Sequence, residues 1–128
     1  MQGRRWVRAD GKRPVTVAGR PASTTDPGTW ATLPEVRASD AGDGMGVMLG
    51  HGLGCYDLDD VSDAQAREFA ASIPERVVFA ERSMSGAGVH LFIEAPEAPG
   101  SRRLIEGISV ERYTRARFIR TTGRRLTL

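Results

Sequence analysis

Apolar and polar positions along the chain change period several times, and each change marks an element. Trp6, Val7, Val15 and Val17 supply the packing residues of two short strands, Arg5 to Arg8 and Pro14 to Val17. An Asp10-Gly11-Lys12 turn joins them, so a hairpin is predicted. Asp26 before Pro27 suits a helix cap followed by the first helical position, and Thr32 with Glu35 forms a second start signal of capping-box type. Pro34 keeps that helix short, with Trp30, Leu33 and Val36 as its buried stripe. Gly46 to Leu49 and a strand centred on Asp57 flank a glycine-rich link, which predicts neighbouring antiparallel strands. Ser62 and Gln65 make a further capping box. Ala66, Phe69, Ala70 and Ile73 follow at helical spacing until Pro74.

Strand signals dominate the remainder: Val77 to Glu81, Val89 to Ile93, Ile108 to Tyr113 and Phe118 to Thr121, with Arg125 to Leu128 as a last short strand. Ile108 to Tyr113 and Phe118 to Thr121 are expected to pair, and Pro96, Pro99 and Gly100 mark a loop. Runs of strands with two helices, rather than regular βα alternation, predict an α+β fold. The expected form is one mostly antiparallel sheet with helices on one face and the other face free for a site.

The segment Gly54-Cys55-Tyr56-Asp57-Leu58-Asp59-Asp60 carries the chemistry. Side chains alternate along a strand, so Asp57 and Asp59 share one face while Tyr56 and Leu58 turn to the core. Side-by-side carboxylates repel unless a cation lies between them, and hard divalent ions such as Mg²⁺ or Mn²⁺ suit carboxylate oxygen. A solvated acidic corner at a strand end is the plain alternative. Alternation on the Ile108 strand puts Ser109, Glu111 and Tyr113 on the face opposite Ile108 and Val110, so Glu111 is a candidate third acid, or else a partner for a nearby arginine. On the Val89 strand, Val89, Leu91 and Ile93 face the core and His90 and Phe92 face away. Immediately before it, Ser83-Met84-Ser85-Gly86-Ala87-Gly88 has the composition of a phosphate cradle. Glycines let backbone N–H groups converge on an anion, and serine hydroxyls add donors. A plain hairpin loop is the default for such a segment. Its weight comes from its company: a carboxylate pair, a histidine, a glutamate strand, Arg117 and Thr121-Thr122-Gly123.

Composition narrows the class. A chain of 128 residues with 40% hydrophobic and 27% charged positions is expected to form a single domain spanning 1–128 and not a disordered or membrane protein. No apolar run reaches membrane-span length and no signal-peptide core follows the basic start, so a cytoplasmic location is expected. Cys55, the one cysteine, is a packing residue with no internal partner and no activating neighbours. Net charge is +2, but residues 1–25 carry +5, residues 26–100 carry −9 and residues 101–128 carry +6. Arginine-rich ends around an acidic centre suit a polyanion held beside metal-binding carboxylates, although arginine-decorated surfaces are common.

Taken in order, Lys12-Arg13-Pro14-Val15, Ala22 to Trp30, Asp57-Leu58-Asp59, Ser83-x-Ser85-Gly86-x-Gly88-x-His90, Val110-Glu111-x-Tyr113, Arg117-Phe118 and Thr121-x-Gly123 resemble the N-terminal domain of bifunctional DNA primase/polymerases. That phage- and plasmid-type family belongs to the archaeo-eukaryotic primase superfamily. The resemblance implies a catalytic core of RNA-recognition-motif type that joins nucleoside triphosphates on a single-stranded DNA template. It implies that Asp57, Asp59 and Glu111 hold two Mg²⁺ or Mn²⁺ ions, and that Ser83, Ser85, Gly86, Gly88 and His90 hold the incoming triphosphate. Arg117 would supply countercharge and the basic termini would touch template phosphates. Met84 departs from the proline frequent in the family's loop. The chain is expected to be a short form or fragment of a larger replication protein, with a helicase domain or replisome partner.

Three rivals compete with this expectation. A replication-initiator nuclease needs paired histidines, and only His51 and His90 are available. An RNA-binding module needs several exposed strand aromatics, whereas Phe92 and Tyr113 are the main ones offered. A catalytically degenerate, nucleic-acid-binding copy of the primase core keeps the motifs without the activity.

Overall fold

A computed structural model describes Met1 and residues 3–128. The chain divides into two compact units, Met1–Leu49 with Ala116–Thr121, and Gly50–Arg115 with Thr122–Leu128.

The first unit contains β1 (Trp6–Asp10), β2 (Arg13–Val15), a 3₁₀ turn (Pro27–Thr29), α1 (Leu33–Ala38) and β3 (Gly44–Met48). Its sheet has the order β2-β1-β3-β9, where β9 is the returning last strand Phe118–Thr121, and all its pairings are antiparallel. Asp26 caps the 3₁₀ turn by accepting from Gly28 N–H, and Thr32 and Glu35 complete the predicted capping box of α1. Val7, Trp30 and Met48 form a buried cluster joined by Ala22 and Phe118. Gly46 is required here for space, because a Cβ would overlap the Phe118 ring and the Ile119 carbonyl.

The second unit contains β4 (Leu53–Asp59), α2 (Asp63–Ser72), β5 (Val77–Arg82), β6 (Val89–Glu94), β7 (Ser101–Ile105) and β8 (Ile108–Tyr113). Its antiparallel sheet has the order β5-β6-β4-β8-β7. Ser62 and Gln65 cap α2 reciprocally, at 3.1 and 2.9 Å. The helix buries Ala66 and Phe69 against Leu58, Val89, Leu91, Val110, Ala80 and Leu126. Burying each of the valine, leucine and phenylalanine side chains of this cluster contributes roughly 1.5–3 kcal/mol. After Thr121 the chain runs along the β5 edge, with Leu126 N–H donating to the Ala80 carbonyl at 2.9 Å and Arg82 N–H to the Arg124 carbonyl at 2.9 Å. Among the described residues, no helix is long and apolar enough to cross a membrane.

The α+β class expected from the sequence is present, but the single sheet is replaced by two. Two predicted pairings fail for one reason: a strand has only two edges. β3 is occupied by β1 on one side and Phe118–Thr121 on the other, while the Asp57 strand is occupied by β6 and β8. Gly50, His51 and Gly52, all at positive φ, instead turn the chain between sheets, with Gly50 and Leu53 exchanging backbone bonds at 3.0 and 3.1 Å. Ile108–Tyr113 likewise pairs with β4 and β7 rather than with Phe118–Thr121. β7 was not anticipated, and the expected strand at Arg125 to Leu128 is reduced to an isolated Glu81–Arg125 bridge.

Candidate active site

The helix-free face of the second unit's sheet carries a row of polar side chains, set by strand register. His90 and Glu111 lie directly opposite Asp57, on β6 and β8 respectively. Glu81 lies opposite His90 on β5, and Arg102 opposite Glu111 on β7. The order across the sheet is therefore Glu81, His90, Asp57, Glu111, Arg102. Asp59, two residues along β4 on the same side, is exposed and opposes Ser109. The alternation predicted for β4 and β8 holds. The side facing α2 takes Leu58 and Val110 into the core, with Tyr56 packed against it.

The distances from His90 to its two neighbours in the row fall just outside direct hydrogen bonding. His90 Nε2 is 3.8 Å from Asp57 Oδ1, and His90 Nδ1 is 3.5 Å from Glu81 Oε2. The His90 side chain is 12% exposed and that of Asp57 36%. Glu111, 17% exposed, is ion-paired with Arg102, whose guanidinium is held above the ordinary arginine value by the bond and charge of that carboxylate. No three His, Cys, Asp or Glu side chains among the described residues are gathered closely enough to hold a metal ion. By donor chemistry the set fits Mg²⁺ or Mn²⁺: carboxylate oxygens on one face, with no thiolate among them. In this geometry Glu111 is turned to Arg102 rather than to the aspartates.

The Ser83–Gly88 loop is tightly self-bonded. Gly86 N–H donates to the Ser83 carbonyl at 3.0 Å, Ala87 N–H to Ser85 Oγ at 3.2 Å and Gly88 N–H to Ser83 Oγ at 3.1 Å. The two serine hydroxyls are themselves 3.1 Å apart. Arg82 braces the loop from one side, bonding the Val61, Gly86 and Ala87 carbonyls and the Asp63 carboxylate, and Arg124 bonds the Met84 carbonyl from the other. Gly88 has no room for a side chain: a Cβ would come within 2.9 Å of the Leu58 carbonyl. Arg117 belongs to the first unit, where its carbonyl accepts from Leu49 N–H at 2.9 Å.

Phe92, expected to face away from the core, is fully buried beside Phe79 at 6.1 Å between ring centroids, so it offers no stacking surface. Along β6, Leu91, Phe92 and Ile93 are all fully buried, so both sides of the strand are covered at Phe92, whereas His90 is only partly buried. A residue that periodicity did not single out is Glu81, which is fully buried and accepts from Thr122 N–H at 3.0 Å and Gly123 N–H at 3.3 Å. The signal was available: closing the Ser83–Gly88 loop as a hairpin pairs Arg82 with Val89 and therefore Glu81 with His90.

On the opposite side of the sheet, Tyr56 donates to Glu75 at 2.8 Å and Arg112 donates to the same carboxylate at 2.9 Å. This cluster ties β4 and β8 to the segment after α2 and is separate from the acid row.

No curated protein matches this sequence. The family model describing the N-terminal domain of bifunctional DNA primase/polymerases matches residues 6–123, a span that takes in both sheets, the acid row and the Ser-Gly loop. The chain belongs to the family of bifunctional DNA primase/polymerase N-terminal domains.

Proposed function

We propose that this chain is a template-directed nucleotidyltransferase, a DNA primase/polymerase acting in mobile-element or phage replication. The observation that carries this reading is the shared face of Asp57, Asp59, Glu111 and His90 on three adjacent strands. A merely decorative acid pair does not require a third carboxylate in register beside it, since like charges directly opposed across strands destabilise a sheet.

In this reading Asp57, Asp59 and Glu111 hold two Mg²⁺ or Mn²⁺ ions, which when bound polarise phosphate oxygens and favour attack of a 3′-hydroxyl on an α-phosphorus with loss of pyrophosphate. Glu111 serves after parting from Arg102, and that exposed arginine then faces the developing charge. His90 and the donors of Ser83, Ser85, Gly86 and Gly88 bind the triphosphate, the serine hydroxyls rotating from the loop's own N–H groups to the ligand. The basic segments bind a single-stranded DNA template through its phosphates, a salt-sensitive contact without sequence preference. The RNA-recognition-motif core, a single catalytic domain over 1–128 and a helicase or replisome partner complete the proposal.

A second reading, a degenerate nucleic-acid-binding copy, is favoured by two details: the loop donors are internally satisfied and Glu111 is tied to Arg102. Calorimetric binding of dATP or GTP with Mn²⁺ separates them. The enzyme binds, and Asp57→Ala loses binding. Wild-type protein that binds single-stranded DNA but neither nucleotide is the degenerate copy.

A further inference from the structure

Glu81 is a fully buried carboxylate in a position where packing alone calls for an apolar side chain. Removing a carboxylate from water is costly unless hydrogen bonds replace its hydration. Three nitrogens surround it: Thr122 N–H, bonded at 3.0 Å, Gly123 N–H, bonded at 3.3 Å, and His90 Nδ1, 3.5 Å away without a hydrogen bond. A carboxylate is the acceptor-only group that meets all three, whereas an amide turns a donor against one of them. His90 Nδ1 is itself buried and has no hydrogen-bond partner among the described residues, so Glu81 is the acceptor placed to serve it. The ring edge packs on Phe92, 6.2 Å between centroids at 75°, which limits its rotation.

We propose that Glu81 is a positioning residue for His90: it holds Nδ1–H inward, so that Nε2 remains on the open face beside Asp57. This deepens the functional proposal and rests on its assignment of His90 to the triphosphate. With Nδ1–H facing Glu81, Nε2 is the nitrogen left on the open face, and it donates to a phosphate oxygen when the ring also carries a proton there. The 3.5 Å separation shortens when the ligand engages Nε2, as such contacts commonly tighten on binding. Through Thr122 and Gly123, the same carboxylate fixes the segment that closes the β5 edge, so ring and edge share one anchor.

Two measurements test this. Imidazole ¹⁵N–¹H correlation spectra of the wild-type protein without nucleotide are expected to show His90 protonated at Nδ1. A neutral ring protonated at Nε2, with Nδ1 bare, overturns the proposal whatever the variants do. Binding of dATP with Mn²⁺ is then compared in Glu81→Gln, His90→Ala and the double variant. Glu81→Gln is expected to weaken binding about tenfold, and the double variant to bind like His90→Ala, because Glu81 acts through the ring. Additive losses indicate a structural role only and overturn the proposal. Weakened His90→Ala with unaffected Glu81→Gln overturns it while leaving the assignment of His90 intact. His90→Ala binding as tightly as wild type overturns both.

Discussion

Replacing Asp57 by Asn separates a functional acid from a structural one. Asp57 is directly opposite Glu111, and side chains so paired have Cβ atoms about 5 Å apart. Two carboxylates about 6 Å apart repel by about 0.7 kcal/mol at the dielectric constant of water and about 3 kcal/mol at an effective value of 20. Arg102 on Glu111 and His90 beside Asp57 offset part of this, and removing one charge is expected to return about 1 kcal/mol. For a chain of this length that is a rise in melting temperature of roughly 3–5 °C. Saturation with Mn²⁺ at a hundred times its dissociation constant stabilises the wild type by about 2.7 kcal/mol through binding alone, and Asp57→Asn is expected to lose that gain. Scanning calorimetry at pH 7.5, with a chelator and with Mn²⁺, measures both effects. A metal-free variant that melts several degrees lower than wild type, or one that Mn²⁺ stabilises as much, refutes the argument.

Other perturbations probe the scaffold. Glu75 is raised by burial, but hydrogen bonds from Tyr56 and Arg112 outweigh this and leave its carboxyl below the ordinary 4.5. Its contribution is therefore complete above that ordinary value and is lost as pH falls through the lower folded value. Glu75→Gln should cost about 1–2 kcal/mol at neutral pH and flatten the acid limb of a melting-temperature profile below about pH 5. Ser62→Ala removes the α2 cap, and denaturant unfolding should show a loss of about 1 kcal/mol. Gly46→Ala drives a methyl into Phe118 and the Ile119 carbonyl, so a loss of about 1–3 kcal/mol or failure to fold is expected in the same assay. Arg102→Ala frees Glu111 and should lower the Mn²⁺ concentration needed for half-saturation, measured by calorimetric titration.

The shared face of the candidate residues was legible because strand periodicity is local. The side of the sheet taken by Asp57, Asp59 and Glu111 follows from alternation within β4 and within β8, and both capping boxes from spacings of three residues. Which strands pair depends instead on competition for edges among distant segments. Pairing Phe118–Thr121 with Gly44–Met48 joins residues 70 to 76 apart, and no local pattern reports it. Phe92 looked exposed because alternation was read as one buried face, while at this point of β6 the consecutive residues Leu91, Phe92 and Ile93 are all fully buried, Phe92 beside the ring of Phe79. Glu81 escaped notice because a charged residue on a strand is ordinarily solvated, and its donors come from Thr122 and Gly123, some forty residues later.

The central claim is that the carboxylate face of the second unit joins nucleotides on a template. The measurement closest to it is incorporation of labelled nucleotides on a single-stranded DNA template, with dNTP and NTP sets and with Mg²⁺ or Mn²⁺. Wild-type protein should form product only with a divalent cation, and Asp57→Ala should form none while melting as a folded protein. Equal product from wild type and Asp57→Ala, or no product from wild type under any of these conditions, contradicts the account.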